Sequence, residues 1–373
     1  MLEVFDVFQR FGREYFTNPD NKLLPSHWSA YEDIMACRTN ELGGHEVLCD
    51  SCNHVEVSYH SCNNRSCPKC NSDSATQWLE KRKTELLSVP YFHVVLTVPH
   101  QLNKLIYLNQ KALYAVLLRS AAGAVLNLLE DSKFAGGKGG AIAVLHTWNR
   151  TLQYHPHVHL LVPGAAIDGN ILRHSRKSFL VPTRKLAWDF RELFLAEARS
   201  ALPNITFSRK LERLRWRVHI ADAQNNPENV LQYLGRYIRR MAITNSRLVS
   251  ITNSEVTFRY KSSGERKWQL MTLSAKEFIS RFLMHVLPKG FHKVRYYGFL
   301  SPRGKQRLQQ FQDQLVLPKA VKERNNGDDE ATEKMDETAK PSYIRPCRKC
   351  MNGKMFLGMF IQKKAVRAPP WLV

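Results

Sequence analysis

Three kinds of side chain in this sequence have types and spacings suited to chemistry: alternating histidines, paired tyrosines and cysteines in CxxC pairs. The segment Tyr154-His155-Pro156-His157-Val158-His159-Leu160-Leu161-Val162 reads as a strand. Alternate side chains of a strand share a face. His155, His157 and His159 therefore point one way, and Val158 and Leu160 point the other way into a core. Pro156 puts the segment at a strand start or a sheet edge. Two imidazoles at i and i+2 can hold one divalent ion, with a third ligand from another element. The zinc-hydrolase signature HExxH is absent, and no partner carboxylate stands beside these histidines in sequence.

Tyr233 and Tyr237 are i, i+4 on Pro227–Met241, which reads as a helix with Asn226 as N-cap and proline in its first turn. Val230, Leu231, Leu234, Ile238 and Met241 share one face; the tyrosines lie just beside it, flanked by Arg236 and Arg240. A phenol with a pKa of about 10 is a poor nucleophile at neutral pH. A divalent ion held by histidines can polarise a scissile phosphate and stabilise the developing charge. Attack then yields a phosphotyrosine link. That link keeps the energy of the broken phosphodiester, so a strand can later be rejoined. Two tyrosines allow two strands to be held in succession.

The cysteines suggest a second metal. Cys49-x2-Cys52 and Cys67-x2-Cys70 are separated by fourteen residues. Two such knuckles complete a tetrahedral zinc site. The gap is one short of the usual range of about fifteen to twenty. Cys37, His45, His60 and Cys62 remain in the same window, and Cys37, His45 and Cys62 are candidates for a second zinc. Cys347-x2-Cys350 is half a site near the C-terminus. Arg65 and Lys69 beside the cysteines make this region a candidate DNA contact.

The whole chain fits such a partner. It has 373 residues, with 55 Lys+Arg against 33 Asp+Glu and a net charge of +22. That excess favours a polyanion, nucleic acid or an anionic membrane. Residues 318–340 carry a net −2 and residues 341–373 a net +7, so the basic charge lies in the body and the tail. No apolar run is expected to approach the roughly 18 residues of a spanning helix. MLEVFDVFQRFGREYF lacks the basic start and apolar stretch of a signal peptide. The expected setting is a reducing cytoplasm without a membrane partner, where cysteines serve as metal ligands or free thiols.

The elements that must position these groups alternate in period. Residues 1–36 read as mainly helical and 74–88 as a helix. Tyr91–Val98, Ala141–Trp148, Tyr154–Val162 and Trp216–Ile220 read as strands. Residues 101–130, 184–201 and Lys276–Leu287 read as helices, and Val256–Lys261 with Trp268–Leu273 as a hairpin. The interleaving lacks βαβ regularity, so the class is α+β. The expected organisation is a helical and zinc-binding domain at 1–88, a catalytic domain at 89–317, a disordered linker at 318–340 and a basic CxxC tail at 341–373.

HPHVH resembles the HUH motif of single-strand endonucleases at His157-Val158-His159, and YLGRYIRRMAITNSRL resembles the paired-tyrosine motif of rolling-circle insertion-sequence transposases of the IS91 group. CRTNELGGH, CDSC and SCNNRSCPKC resemble that group's N-terminal zinc domain; LTVPHQL, LHTW, HPHVHLLVPGAA, RFLMHVLPKGF and VRYYGFL resemble its catalytic domain. Three positions depart from the pattern: Ser66 where a histidine is usual, Arg150 where a glutamine is common, and Ile238-Arg239 beside the second tyrosine. The resemblance implies an antiparallel sheet with helices on it. It implies a transposase that nicks single-stranded DNA at element ends, forms a 5′-phosphotyrosine and transfers the strand to target DNA. The implied catalytic metal is Mg²⁺ or Mn²⁺, beside structural Zn²⁺. For the third ligand, strand geometry favours His155, with His146 of the neighbouring strand as the alternative. Two other readings compete: a plasmid replication initiator or relaxase, and a non-catalytic zinc-dependent DNA-binding regulator.

Overall fold

The computed structural model describes residues 2–70, 86–176, 179–224, 241–262, 267–315 and 343–363. The expected helix at Pro227–Met241, with Tyr233, Arg236, Tyr237 and Arg240, lies outside the described residues except for Met241. So do the expected linker at 318–340 and all but the last three residues of the expected helix at 74–88.

The described helices are α1 Val4–Thr17, α2 Pro25–Ala36, α3 Asn103–Leu108, α4 Gln110–Glu130, α5 Thr183–Ala201, α6 Lys210–Arg213, α7 Ala275–Leu283 and α8 Lys305–Leu315. The first seven strands are β1 Gly44–Cys49, β2 Val55–Tyr59, β3 Tyr91–Thr97, β4 Gly140–Trp148, β5 Tyr154–Pro163, β6 Ala165–Asp168 and β7 Ile171–His174. The remainder are β8 Arg217–Gln224, β9 Leu248–Ile251, β10 Glu255–Tyr260, β11 Gln269–Ser274, β12 Val294–Gly298, β13 Tyr343–Pro346 and β14 Lys354–Ile361. The chain divides into two compact units, Met1–His27 with Asn71–Leu317 and Trp28–Cys70 with Pro318–Val373. The cut after Leu317 falls at an expected boundary, while those expected at 88 and 340 are not cuts.

The larger unit is built on a five-stranded antiparallel sheet of order β12-β4-β5-β3-β8. Its strands are rich in β-branched and aromatic residues, which suit a pleated, packed surface. Residues directly opposite share a face, so the register separates the sheet's two sides. One side carries Ala143, Leu145, Val158, Leu160, Val94 and Leu96, all buried beneath α4 and α5. α5 meets that side with Leu186, Phe190, Phe194 and Ala198 at helical spacing. Phe190 and Phe194 pack on Trp216 at ring-centre distances of 5.1 and 5.3 Å. Burying one such side chain contributes about 1.5–3 kcal/mol. The other side of the sheet carries the histidines.

Helix α4 corrects one expectation. It is 21 residues long and apolar enough by length and composition to cross a membrane. Its apolar residues, among them Leu113, Leu117, Val125 and Leu129, are buried in this core. Polar Gln110, Arg119, Ser120 and Asn127 interrupt the run in sequence, which hides its length from a search for unbroken apolar stretches.

The expected hairpin is β10–β11, joined by β9 into a three-stranded sheet. Helix α1, expected in the zinc-binding region, packs in the larger unit, where Phe8 meets Phe282 of α7 at 5.4 Å. Val4 N–H donates to Asn245 Oδ1 at 3.1 Å and fixes its start.

The smaller unit holds a four-stranded sheet of order β13-β14-β1-β2. The C-terminal segment, expected as an appendage, supplies two of its four strands. β14 pairs with β1 from Gly44 opposite Ile361 to Cys49 opposite Met355. Among the described residues the apolar cluster at this sheet is small: Val47, Cys49, Cys347 and Met355. So little buried surface does not hold a fold without a crosslink or a metal.

Candidate metal centres

The first centre lies on the histidine side of the five-stranded sheet. The register sets His146 of β4 directly opposite His157 of β5, and Val144 opposite His159. A ring nitrogen from each of His146, His157 and His159 lies within 4.8 Å of the others. Ring centres of His146 stand 4.4 Å from His159 and 5.5 Å from His157. The third member is therefore His146, and His155 is outside the group. The reason is strand geometry. At about 3.3 Å per residue, i and i+4 on one strand are about 13 Å apart. Three histidines at i, i+2 and i+4 cannot all reach one ion. A neighbouring strand about 4.8 Å away can.

Neighbours fix which nitrogens face the centre. His157 Nδ1–H donates to His155 O at 2.7 Å, which directs Nε2 as its ligating atom. His159 Nδ1 shares a 2.8 Å hydrogen bond with Nε2 of buried His93, and the two rings stack with an interplanar angle of 7°. Partners of this kind orient metal-binding imidazoles. Burial pushes His157 down to about 4, so it is neutral at pH 7, as a ligand must be. His93 is pushed to about 4, first by burial and then by His219 and His157. His155 is lowered by burial and by nearby Arg217.

The turn between β4 and β5 is held from behind. Leu152 adopts a left-handed φ of 63°, uncommon for a residue with a side chain. Its carbonyl accepts a 3.0 Å hydrogen bond from His285 Nε2–H, while Thr147 Oγ1 meets His285 Nδ1 at 3.2 Å. Arg150 donates to Lys261 O and Ser262 O at 3.0 and 2.6 Å, tying the same turn to the β10 strand end. His93 and His285 were not singled out in sequence. Their signal was present in YFHVVLTV and RFLMHVLPKGF, where a histidine interrupts an otherwise apolar element.

The cysteines form two groups of four: Cys37, Cys62, Cys67 and Cys70; and Cys49, Cys52, Cys347 and Cys350. This corrects the expected pairing of Cys49-Cys52 with Cys67-Cys70. The half-site Cys347-Cys350 meets its other half because β14 pairs with β1. In that second group Cys49 Sγ stands 3.7 Å from Cys350 Sγ, and Cys52 Sγ 3.8 Å from Cys347 Sγ. A tetrahedron with Zn–S bonds of about 2.3 Å has edges of about 3.8 Å. In the first group Cys70 Sγ is 3.2 Å from Cys37 Sγ and 3.5 Å from Cys62 Sγ.

The knuckles share a local build. Backbone N–H groups of Ser51, Asn64 and Lys349 each donate at 3.4 Å to the cysteine sulfur two residues before them. Asn53, Asn63 and Met351, each just after a cysteine, take positive φ to turn the chain. A β-carbon at Gly353 would collide with Cys49 Sγ. The Cys62 thiol lowers Cys67 to about 6, while the Cys67 thiol raises Cys62 and burial raises Cys37. A divalent cation bound at four thiols would displace their protons.

His45 joins neither group; its ring packs on His60 at 4.8 Å and Phe360 at 5.3 Å. Ser66 supplies no ligand, and the four cysteines are complete without a histidine there. Arg65 is exposed and Lys69 half-buried on the loop that carries Cys62, Cys67 and Cys70.

Comparison with known proteins finds two family matches along the chain. Residues 140–307 match the family described as Putative transposase, and residues 7–98 match the Transposase zinc-binding domain. The putative transposase y4qJ of Sinorhizobium fredii is 38% identical over 376 residues, covering 95% of this chain and 94% of that protein. The transposase for insertion sequence element IS801 of Pseudomonas savastanoi pv. phaseolicola is 31% identical over 291 residues, covering 72% and 69%. No solved structure matches the chain. The zinc-binding-domain match and the two cysteine groups together support zinc as a cofactor.

Proposed function

The chain belongs to the IS91 family of insertion-sequence transposases, and on that premise we propose that it nicks and transfers single-stranded DNA at element ends through a 5′-phosphotyrosine link. Family membership implies rolling-circle transposition and binding of DNA at those ends. The observation that carries the finer reading is the convergence of His146, His157 and His159 on one face of the sheet.

Those three histidines would hold the Mg²⁺ or Mn²⁺. An all-imidazole donor set fits Mn²⁺ better than the harder Mg²⁺, which prefers oxygen. When bound, the ion supplies polarisation of the scissile phosphate. The chain supplies the rest. The phenol of Tyr233 or Tyr237 releases its proton to solvent as its oxygen attacks phosphorus, the P–O bond to the 3′-oxygen breaks, and that oxygen takes a proton from solvent and leaves as a 3′-hydroxyl, with no net change in protons. Reversal with a different 3′-hydroxyl transfers the strand. His155 is left to line the approach. Arg236 and Arg240 would hold phosphates beside the tyrosines, and Arg65 and Lys69 would contact DNA from the cysteine unit. Zinc at Cys37/Cys62/Cys67/Cys70 and at Cys49/Cys52/Cys347/Cys350 is structural in this reading. The enzyme works in the bacterial cytoplasm, on the nucleoid.

Labelled single-stranded DNA carrying an element end, incubated with the protein and Mn²⁺, tests this. A covalent protein–DNA adduct is expected, with the label on Tyr233 or Tyr237 by peptide mapping. It should vanish in the Tyr233→Phe/Tyr237→Phe double variant. An adduct that persists there, or none with the wild-type protein, overturns the reading; the latter favours a DNA-binding regulator.

A further inference from the structure

The outer edge of the five-stranded sheet carries a second feature. Entering and along β8, Arg215, Arg217 and His219 are exposed and alternate with Trp216 and Val218, which face the helix core. Arg217 stands opposite Thr97, and Thr97 stands opposite His157. With strands about 4.8 Å apart, Arg217 is about 10 Å across the sheet from a proposed metal ligand.

A cleft of about 810 Å³ opens there, lined by Arg215, Arg217, His219, His155, His100 and Arg184 among others. Arg184 sits in the first turn of α5, whose N-cap, Pro182, makes no side-chain cap, so the helix's amide ends add partial positive charge. No carboxylate lines the cleft among the described residues. A second cavity of about 420 Å³ shares Thr183 and Arg184 with it and is lined by Phe92, Phe179, Leu180 and Ile220. Phe179 is 40% exposed. A cationic cleft running into an apolar pocket matches the alternation of phosphate and base in an unpaired strand. A duplex keeps its base faces stacked and has nothing to offer the pocket.

We propose that this cleft is the path of an unpaired DNA strand, with phosphates on Arg184, Arg215 and Arg217 and an unstacked base against Phe179, leading toward the histidine centre. The inference rests on the proposed function for the identity of its ligand.

Fluorescence anisotropy of a labelled oligothymidylate tests it, using the full chain in buffer with no added divalent ion and no chelator, so that zinc stays in place. Arg215→Ala/Arg217→Ala should weaken binding at least about tenfold and make the log–log salt dependence shallower by about 1.4, at about 0.7 per lost phosphate contact. Phe179→Ala should weaken binding about tenfold with the salt slope unchanged. Arg173→Ala, ion-paired to Asp168 away from the cleft, should change nothing. Arg215→Lys/Arg217→Lys keeps the charge and should restore the slope, which guards against a misfolded alanine variant. Photocrosslinking of wild-type protein to iodouracil DNA should label peptides within residues 92–101, 179–187 and 214–221. Unchanged affinity and slope in the alanine variant, crosslinks confined elsewhere, or equal affinity for duplex overturns the inference. Strand binding in the cleft without any tyrosine adduct would instead sink the proposed function alone.

Discussion

The two units use metal ligands in opposite ways. In the cysteine unit the described apolar cluster at the four-stranded sheet is only Val47, Cys49, Cys347 and Met355, and four thiols converge at each of two points. In the histidine sheet a large apolar core lies on one face, and three imidazoles converge on the other. Four protein ligands close a tetrahedral site, so an ion there can only hold the fold together. Three ligands on a sheet that is already stable leave coordination positions for a reacting oxygen. In the proposed function, metal at the cysteine groups would be part of the fold, and metal at the histidines a tool mounted on it.

The largest expected effect follows from the first half of that contrast. Structural zinc contributes about 10–16 kcal/mol in small zinc domains. Stripping zinc with a strong chelator should therefore expose β1, β2 and β14 to rapid amide exchange while β3, β4 and β5 stay protected. Retained protection in β14 would mean that its sheet stands without metal.

A smaller break comes from truncation before residue 341, which removes Cys347 and Cys350. Zinc content by elemental analysis should fall from two per chain to one, because Cys49 and Cys52 lose their partners. A count that stays at two would restore the tail to the role of an appendage.

On the histidine side, His93→Ala should weaken Mn²⁺ binding by about 10- to 100-fold through loss of the bond that orients His159. Its zinc content should not change. Equal Mn²⁺ affinity in calorimetry would make His93 a packing residue.

The smallest effect concerns the turn behind the centre. His285 is buried and held near 4 by burial, against about 6.5 in an unfolded chain. Between those values the unfolded state binds the extra proton. Stability is thus fully present above about 6.5 and declines as pH falls toward 4. From pH 7 to pH 5 the loss from this residue is about 2 kcal/mol. His285→Gln should flatten that part of the pH–stability curve; an unchanged curve would assign the acid sensitivity elsewhere.

How much of this was legible in the sequence depends on the range of the interaction. The α+β class, β3, β4, β5 and the β10–β11 hairpin were readable because periodicity is local. The His157-Val158-His159 pair was readable for the same reason. The third ligand was not. Strand alternation put His155 on the correct face, but only the β4–β5 register brings His146 opposite His157. The cysteines show the same limit more strongly. Each CxxC knuckle is a local turn and was visible. Which knuckle meets which depends on β14 pairing with β1 across some 300 residues, and no spacing rule reaches that far. Helix α4 was legible as a helix but not as a long apolar one, because isolated polar residues break its run.

The account turns on an open, three-histidine centre distinct from two closed cysteine centres. Electron paramagnetic resonance of Mn²⁺ titrated into wild type, His146→Ala and His155→Ala, with zinc counted in the same samples, tests it most directly. The account predicts one bound Mn²⁺ in wild type and in His155→Ala, none in His146→Ala, and two zinc ions in all three. Mn²⁺ lost in His155→Ala but kept in His146→Ala, or zinc lost with either substitution, would contradict it.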